Sequence, residues 1–451
     1  MILGRNMAGK QMFGRFLLGL ALAMVLIPTT GAAQPISTAL PLALSNTTAH
    51  YYLSQALTLQ GVGALSVAER QVLFRWAGAI GTRFAGRIGG FWFTPRSVGE
   101  EQASFDTTRR IAAELHAQQP AMIVQGTVFE IVYAHVDSLP VPNRIRATFG
   151  EDTIRVPFRR FRFADMMYPG YFSATDSAHY RWDARPAGQA PGVPDMSRPE
   201  TQRWFYYVAT RQIDAGCEAL HFGQVMLMDN RDAGHHAWWG LLQRIRAYAR
   251  TRNRGWILCD AHTHGEYYDP DPAHPLPTAQ RQLLFDFHSF PLRPIEEDTL
   301  RHGLHGARLG YANWPEATAA IYGQSGGGLA PDGQLCTHLL ALVEFDNGPV
   351  GIPGKPGQWP LVWGLDEMSW FATQPPAYRD QWLVYAYAQI KRLDPNAYIQ
   401  FPGLRGVTSP PHADYLYRAD QTSQGDVIRA CWAGETTAWA NRLLFIGPVQ
   451  P

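Results

Sequence analysis

Cysteine is scarce in this chain: Cys217, Cys259, Cys336 and Cys431 are the only four in 451 residues. No CxxC and no Cys/His zinc spacing joins them, so a structural zinc module is excluded. Four thiols allow two disulfides in three pairings in an oxidising compartment, and buried free thiols fit the sequence equally well. Net charge is almost absent as well. The 39 Lys and Arg against 38 Asp and Glu leave nothing to recruit a polyanion, so no nucleic-acid partner is expected. No P-loop, dinucleotide fingerprint, internal repeat, coiled coil or low-complexity tract occurs. Nor does any apolar run approach the roughly 20 residues that a spanning helix requires.

The longest apolar run, Phe16 to Ile27, follows Arg5, Lys10 and Arg15 and precedes Pro28 and the small-residue site Gly31-Ala32-Ala33. This order of basic, apolar and small residues predicts a cleavable signal peptide over 1–33. The expectation is a secreted or periplasmic protein with no membrane attachment once the segment is removed.

A hydrophobic fraction of 46% and a charged fraction of 17% suit a globular chain. Within it lie eight short apolar runs: Phe91–Thr94, Ile123–Glu130, Leu220–Gln224, Ile257–His262, Leu283–His288, Leu340–Asp346, Leu361–Glu367 and Tyr398–Phe401. Runs that are nearly continuous in apolar residues mark strands buried on both faces, as in parallel sheets. Helical periodicity is read over 66–87, 106–118, 197–215, 236–252 and 378–393, and most of these segments follow a run. The Pro-rich 263–278 and the Gly- and Pro-rich 347–360 offer no full helix. The predicted fold is α/β, an irregular (β/α)8 TIM barrel over 89–451, preceded by a helical extension over 34–88 whose helical segment 66–87 is expected to close its lower end. Long insertions are expected at 131–196 and 290–339, after the second and fifth strands. Aromatic residues of the first, among them Phe158, Phe161, Phe163, Tyr168, Tyr171, Phe172, Tyr180 and Trp182, either line a sugar cleft or anchor the loop.

Most runs end in ionisable or amide side chains. Period-two alternation places Asp260 with His262, Asp286 with His288, and Glu344 with Asp346, each pair on one face directed into the barrel mouth. Asp366-Glu367 ends the seventh run. Such a set suits hydrolysis of a glycosidic bond, which uses one carboxylic acid and one carboxylate. The expected catalytic pair is Glu344 and Glu367, with Asp260, Asp286 and Asp366 as rivals and Glu130 as a weaker acid candidate. Gln125, His221, Gln224, His262, His288, Asp346 and Gln400, with Trp92 and Trp363, are the expected substrate ligands. No cofactor and no metal is called for.

In export signal, repeated βα-like units, late-strand acids and aromatic insertions, the chain resembles the TIM-barrel glycoside hydrolases from about Gly89 onward. The resemblance implies a secreted glycosidase acting on an oligo- or polysaccharide. The fourth predicted strand ends Asp260-Ala-His262 where the large clan with two catalytic glutamates carries Asn-Glu, while Glu367 takes the seventh-strand place. Two other chemistries stay open. Asp260-Ala-His262-Thr-His264 resembles the Asp-x-His-x-His strand end of metal-dependent amidohydrolases, with His288 and Asp286, Glu344 or Asp366 as further ligands. A non-catalytic glycan-binding barrel would keep the tryptophans and dispense with the paired acids. Gly323-Gln-Ser325-Gly-Gly327 fits the pattern of a nucleophile elbow, but the residues after it make a poor helix start, so it is read as a loop.

Overall fold

The computed structural model describes residues 44–90, 94–173, 175, 180–252, 254–263, 265–301, 304–309, 323–346, 366–408 and 415–434. Helix α1 (Asn46–Leu53) is capped by the Ser45 hydroxyl, which accepts from the Thr48 amide. It leads into β1 (Ala56–Leu59), α2 (Val67–Ile80), β2 (Phe84–Gly89), α3 (Val98–Gln118) and β3 (Ile123–Thr127). The long insertion follows, and then α4 (Pro199–Asp214), β4 (Ala219–Gln224), α5 (His236–Ala249), β5 (Leu258–His262) and β6 (Phe287–Pro291). An antiparallel hairpin, Pro294–Arg301 with Leu304–Leu309, precedes β7 (Ala341–Glu344), α6 (Glu367–Thr373), α7 (Pro376–Leu393), β8 (Ala397–Val407) and α8 (Gln424–Trp432).

The eight strands pair in parallel in chain order, and β8 returns to pair with β1, Ala56 opposite Gln400. Closure without an edge is a (β/α)8 barrel. The expected fold class is therefore observed, but two of its strands are not the predicted ones. β1 and β2 lie inside the segment read as a helical extension, so the barrel begins at Ala56 and not at 89. Helix α2 starts on a Ser66/Glu69 capping box and stops at Gly81, whose φ of 93° favours glycine. The periodicity assigned to 66–87 had run through that stop into a strand. Of the two runs that were counted in their place, 91–93 and 361–365 lie outside the described residues. Asp366 and Glu367 open helix α6 rather than end a strand. With the count shifted, the insertion at 131–196 follows β3, and the one read at 290–339 begins within β6.

One residue from every strand builds the apolar floor: Ala56, Phe84, Ile123, Ala219, Leu258, Phe287, Leu342 and Tyr398. Ala49 and Leu53 of α1 plug it from below, so α1, not the 66–87 segment, closes this end. Outward residues such as Cys259, Val343 and Phe345 pack into the clusters shared with the helices. The aromatic residues Phe161, Phe163, Tyr168 and Tyr171 of the long insertion are buried in the same core as α4 and α5, which makes them anchors of that loop. All four cysteines are free thiols. Among the described residues, no helix is long and apolar enough to cross a membrane.

Phe287 fills the barrel centre and packs edge-on against Phe84, ring centroids 5.9 Å apart. Phe287→Ala is expected to cost about 3–5 kcal/mol, read as a lower urea midpoint with an unchanged slope. A loss under about 1 kcal/mol would show that the floor can collapse around the gap.

Candidate active site

Two residues beyond each floor residue, the inward positions become Thr58, Gly86, Gln125, His221, Asp260, Ser289, Glu344 and Gln400. All the side chains in this layer are buried. The change from apolar to polar at one register step, on every strand but β2, where Gly86 stands, places the chemistry at the carboxyl ends. Gly86 is required there: a Cβ on it would lie 1.8 Å from Gln400 Nε2 and 3.1 Å from Gln125 Oε1.

Two carboxylates organise the layer. Asp260 accepts from Gln125 Nε2 at 2.7 Å through Oδ1, and from His221 Nδ1 at 2.8 Å and the Ser289 hydroxyl through Oδ2. Because a carboxylate only accepts, His221 carries its proton on Nδ1 and leaves Nε2 as a lone pair. Glu344 Oε1 receives the Arg87 guanidinium, and it receives His262 Nε2 at 2.8 Å. Glu344 Oε2 and His221 Nε2 are buried without a partner.

Arg87 should point outward by alternation. It has φ of 62°, and the β2–β3 register shifts between Ala85 and Gly89. A bulge of this kind re-aims a side chain, and a non-glycine residue in the left-handed region is held there at a cost of order 1–3 kcal/mol. The Arg87 amide donates to Gln125 Oε1 at 3.2 Å, which ties the bulge to the polar layer. A second register shift, between His221 and Gln224 in β4, brings Gly223 to φ 63°. A Cβ there would meet Glu130 Oε2 at 1.7 Å, so this glycine makes room for the Glu130 carboxyl. Gln224 Nε2 donates to Glu130 Oε1 at 3.1 Å, while Oε2 is buried with no partner. A third shift, in β1–β8 at Thr58/Leu59, precedes Arg405, whose Nη2 lies 3.3 Å from Asp346 Oδ1.

The environments drive the two glutamates apart. Burial alone would raise the Glu344 carboxyl, but the Arg87 charge, the His262 hydrogen bond and charge, and the Arg405 charge hold it well below the usual carboxylate range. Arg87 is raised in step: burial works against its charge, and Glu344, Asp346 and Asp260 outweigh burial. Glu130 is raised, because burial outweighs the hydrogen bonds and the nearby His262 charge.

The other predicted residues are placed elsewhere. Asp286 precedes β6 and turns outward, accepting from Arg246 Nη2 of α5 at 3.1 Å and from the Cys259 amide at 2.8 Å. His288 also faces outward, between the rings of Phe285 and Phe290. The strand begins later than predicted, at Phe287, so its inward positions are Phe287 and Ser289. Asp366 caps α6, accepting from the Ser369 amide at 2.8 Å and from the Ser369 and Thr408 hydroxyls. Glu367 is buried against Arg293 at 3.0 Å, and burial keeps its carboxyl well above the ordinary value. Trp92, Trp363 and His264 lie outside the described residues. Arg87, Ser289 and Arg405 were not anticipated. Their one signal was a polar residue within an otherwise apolar or glycine-rich run.

His221, His262 and Glu344 offer ligand atoms within 4.8 Å of one another, enough to consider a divalent cation. His221 braced on Asp260 is the orientation that metal-bound histidines use. Against this, Arg87 is bonded to Glu344 and stands 3.3 Å from His262 Nε2, so a fixed positive charge already serves two of the three ligands. The donor set does not fit a metal while Arg87 keeps this position.

No protein-family model matches the sequence, and no curated protein matches it. Among solved structures, the chain is similar to Amy13B of Eubacterium rectale at 10% identity and a TM-score of 0.42, over 81% of this chain and 74% of that one. It is similar to a cyclic alpha-maltosyl-(1→6)-maltose hydrolase from Arthrobacter globiformis at 12% identity and a TM-score of 0.39, over 86% of this chain and 83% of that one. A debranching enzyme of Nostoc punctiforme aligns at 8% identity and a TM-score of 0.28, over 48% of this chain, which spans half (50%) of that enzyme's length. The barrel assignment itself rests on the strand pairing.

Burial, and next the Arg87 charge, push His221 down to about 4 from 6.5. Between these values the unfolded chain binds a proton that the folded chain refuses. Stability therefore rises with pH across that window and is lost as pH falls from about 6.5 toward 4, by on the order of 3 kcal/mol. His221→Gln should flatten this dependence in urea titrations at pH 4.5 and 7. Parallel curves for parent and variant would remove His221 as the group responsible.

Proposed function

We propose that this protein hydrolyses glycosidic bonds in an oligo- or polysaccharide, with Glu344 as the ionised carboxylate and Glu130 as the proton donor. One observation carries the reading: two glutamates at one barrel mouth have environments that separate their protonation states, and both have an unpartnered buried oxygen. Paired carboxyl groups tuned apart are what glycoside hydrolysis requires. Asp260 is not the partner acid, since both of its oxygens are committed to Gln125, His221 and Ser289. Asp366 is committed to a helix cap and Asp286 to Arg246, while Glu367, whose Oε2 is likewise unpartnered, lies at the start of helix α6 with Oε1 held by Arg293.

In this mechanism protonated Glu130 delivers its proton to the leaving glycosidic oxygen as the C–O bond breaks. Glu344 supplies negative charge to the cationic sugar at the anomeric carbon. Arg87 and His262 hold Glu344 ionised and fix its Oε1, which leaves Oε2 for the substrate. Water completes the hydrolysis and returns a proton to Glu130. His221 Nε2, buried without a partner, is left for a sugar hydroxyl. Export directed by the segment 1–33 belongs to the same reading, since polymeric glycans are met outside the cell.

Glu344→Gln should lower kcat at least about 100-fold on every glycan the parent cleaves, while glycan affinity is retained. Glu130→Gln should spare aryl glycosides with a dinitrophenolate leaving group, which need no protonation, and impair those with poor leaving groups. Equal losses on both would remove Glu130 as the acid. Binding without turnover in the parent would favour a glycan-binding barrel.

The one competing reading is a metal-dependent hydrolase, in which His221, His262 and Glu344 would hold the ion only if Arg87 withdrew from Glu344. Treatment with a chelator should leave turnover unchanged. Loss of activity that zinc restores would establish the metal reading instead.

A further inference from the structure

A cavity of about 480 Å³ lies off the barrel axis, between the ends of β1, β2 and β3 and the first half of α3. That volume falls within the range of pockets that enclose small ligands. Its inner wall includes Arg87, the residue bonded to Glu344, so the cavity reaches to within one side chain of the carboxylate. Phe129 lies between the two spaces: its ring is 5.9 Å from the Arg87 guanidinium carbon and 6.2 Å from the His221 ring.

The lining departs from what a barrel helix needs for packing. In its lower half α3 buries Ile111, Ala112 and Leu115, the apolar stripe expected of a helix against a sheet. Higher up, Ser104, Thr107 and Thr108 line the cavity, the Thr108 hydroxyl donating to the Ser104 carbonyl. Across from them Gln60 lines the same space. Serine, threonine and glutamine side chains beside one aromatic ring are residue types that hold a sugar: hydrogen bonds for its hydroxyls and an apolar face for its ring. The positive charge of Arg87 is balanced by Glu344, and the other ionisable group of the lining, the exposed Glu100, is a carboxylate that repels anions and can accept from hydroxyls, so the space suits an uncharged ligand.

We propose that this cavity accepts one neutral sugar residue carried as a side branch on the glycan whose main chain occupies the barrel mouth. The inference rests on the glycosidase reading and adds a substrate class to it, a branched rather than a linear glycan. A residue held beside the axis hangs from the reacting chain instead of continuing it.

Thr107→Trp fills the cavity from a half-buried helix position, and Ser104→Phe does so from one turn away. Substrate pairs differing in branching serve as probes: galactomannan and linear mannan oligosaccharides, arabinoxylan and linear xylan oligosaccharides, xyloglucan and cellulose oligosaccharides. For the pair that is turned over, either substitution should lower the ratio of kcat/KM on the branched to the linear member at least tenfold. Calorimetry gives a readout independent of turnover. The Glu344→Gln chain should bind the branched member at least tenfold more tightly than the linear one, and Thr107→Trp in that background should cancel the difference. Equal affinity for both members of every pair, or a preference that both filling substitutions leave intact, overturns the pocket. Turnover that survives Glu344→Gln overturns the hydrolytic reading instead, and the calorimetric comparison still decides the pocket.

Discussion

The buried pair between Arg87 and Glu344 is the constraint on which the mouth depends. A carboxylate with no exposed surface, in the centre of a barrel, cannot stay ionised by itself, since desolvation of a charge costs several kcal/mol. Arg87 supplies the compensating charge, and it does so from the opposite side of the barrel, β2 against β7. The pair therefore couples barrel closure to electrostatics. Only when β8 has returned to β1 do the two elements face each other across a common interior. Removing either partner leaves the other buried and uncompensated, which is worth about 3–5 kcal/mol in buried pairs generally.

Backbone irregularity is what brings that charge inward. Alternation directs Gly86 into the barrel and Arg87 out of it, and the bulge at Ala85/Gly89 reverses this for Arg87. The same device recurs at Gly223, where a left-handed residue opens space for Glu130, and before Arg405 in β8. At all three places the regular ladder ends just above the polar layer. Strain is thus confined to the upper rim, while the apolar floor below keeps its register. The floor and α1 supply the rigidity against which the bulges are held.

Much of this was legible in the residues. Six barrel strands were predicted in or near their observed places, and Asp260, His262, Gln125, His221, Glu344 and Gln400 do share one interior. The reason is that a strand buried on both faces must be apolar nearly throughout, so that a polar residue within it stands out. The errors have equally plain causes. β1 is only four residues long, too short to stand out as a run, and β2 carries two glycines and an arginine, which is not the composition of a buried strand. Asp366 and Glu367 were assigned by extending a run into what is a helix N-terminus, where an acid is favoured as a cap. Asp286 and His288 were assigned to the inner face because the start of β6 was set too early, and a shift of one position reverses every side chain.

The sequence by itself determined the class of architecture and the period-two placement of the polar layer on the regular parts of the strands. These are local properties, set by which side chains can face a neighbouring layer. Tertiary structure alone decided which groups surround each acid. Arg87, 257 positions away along the chain, holds the Glu344 carboxyl down while burial pushes the Glu130 carboxyl up, and Arg87 reaches the mouth only through a bulge. Protonation depends on distance and burial in three dimensions, and bulges are set by pairing with neighbouring strands, so neither is written in the spacing of residues along one strand.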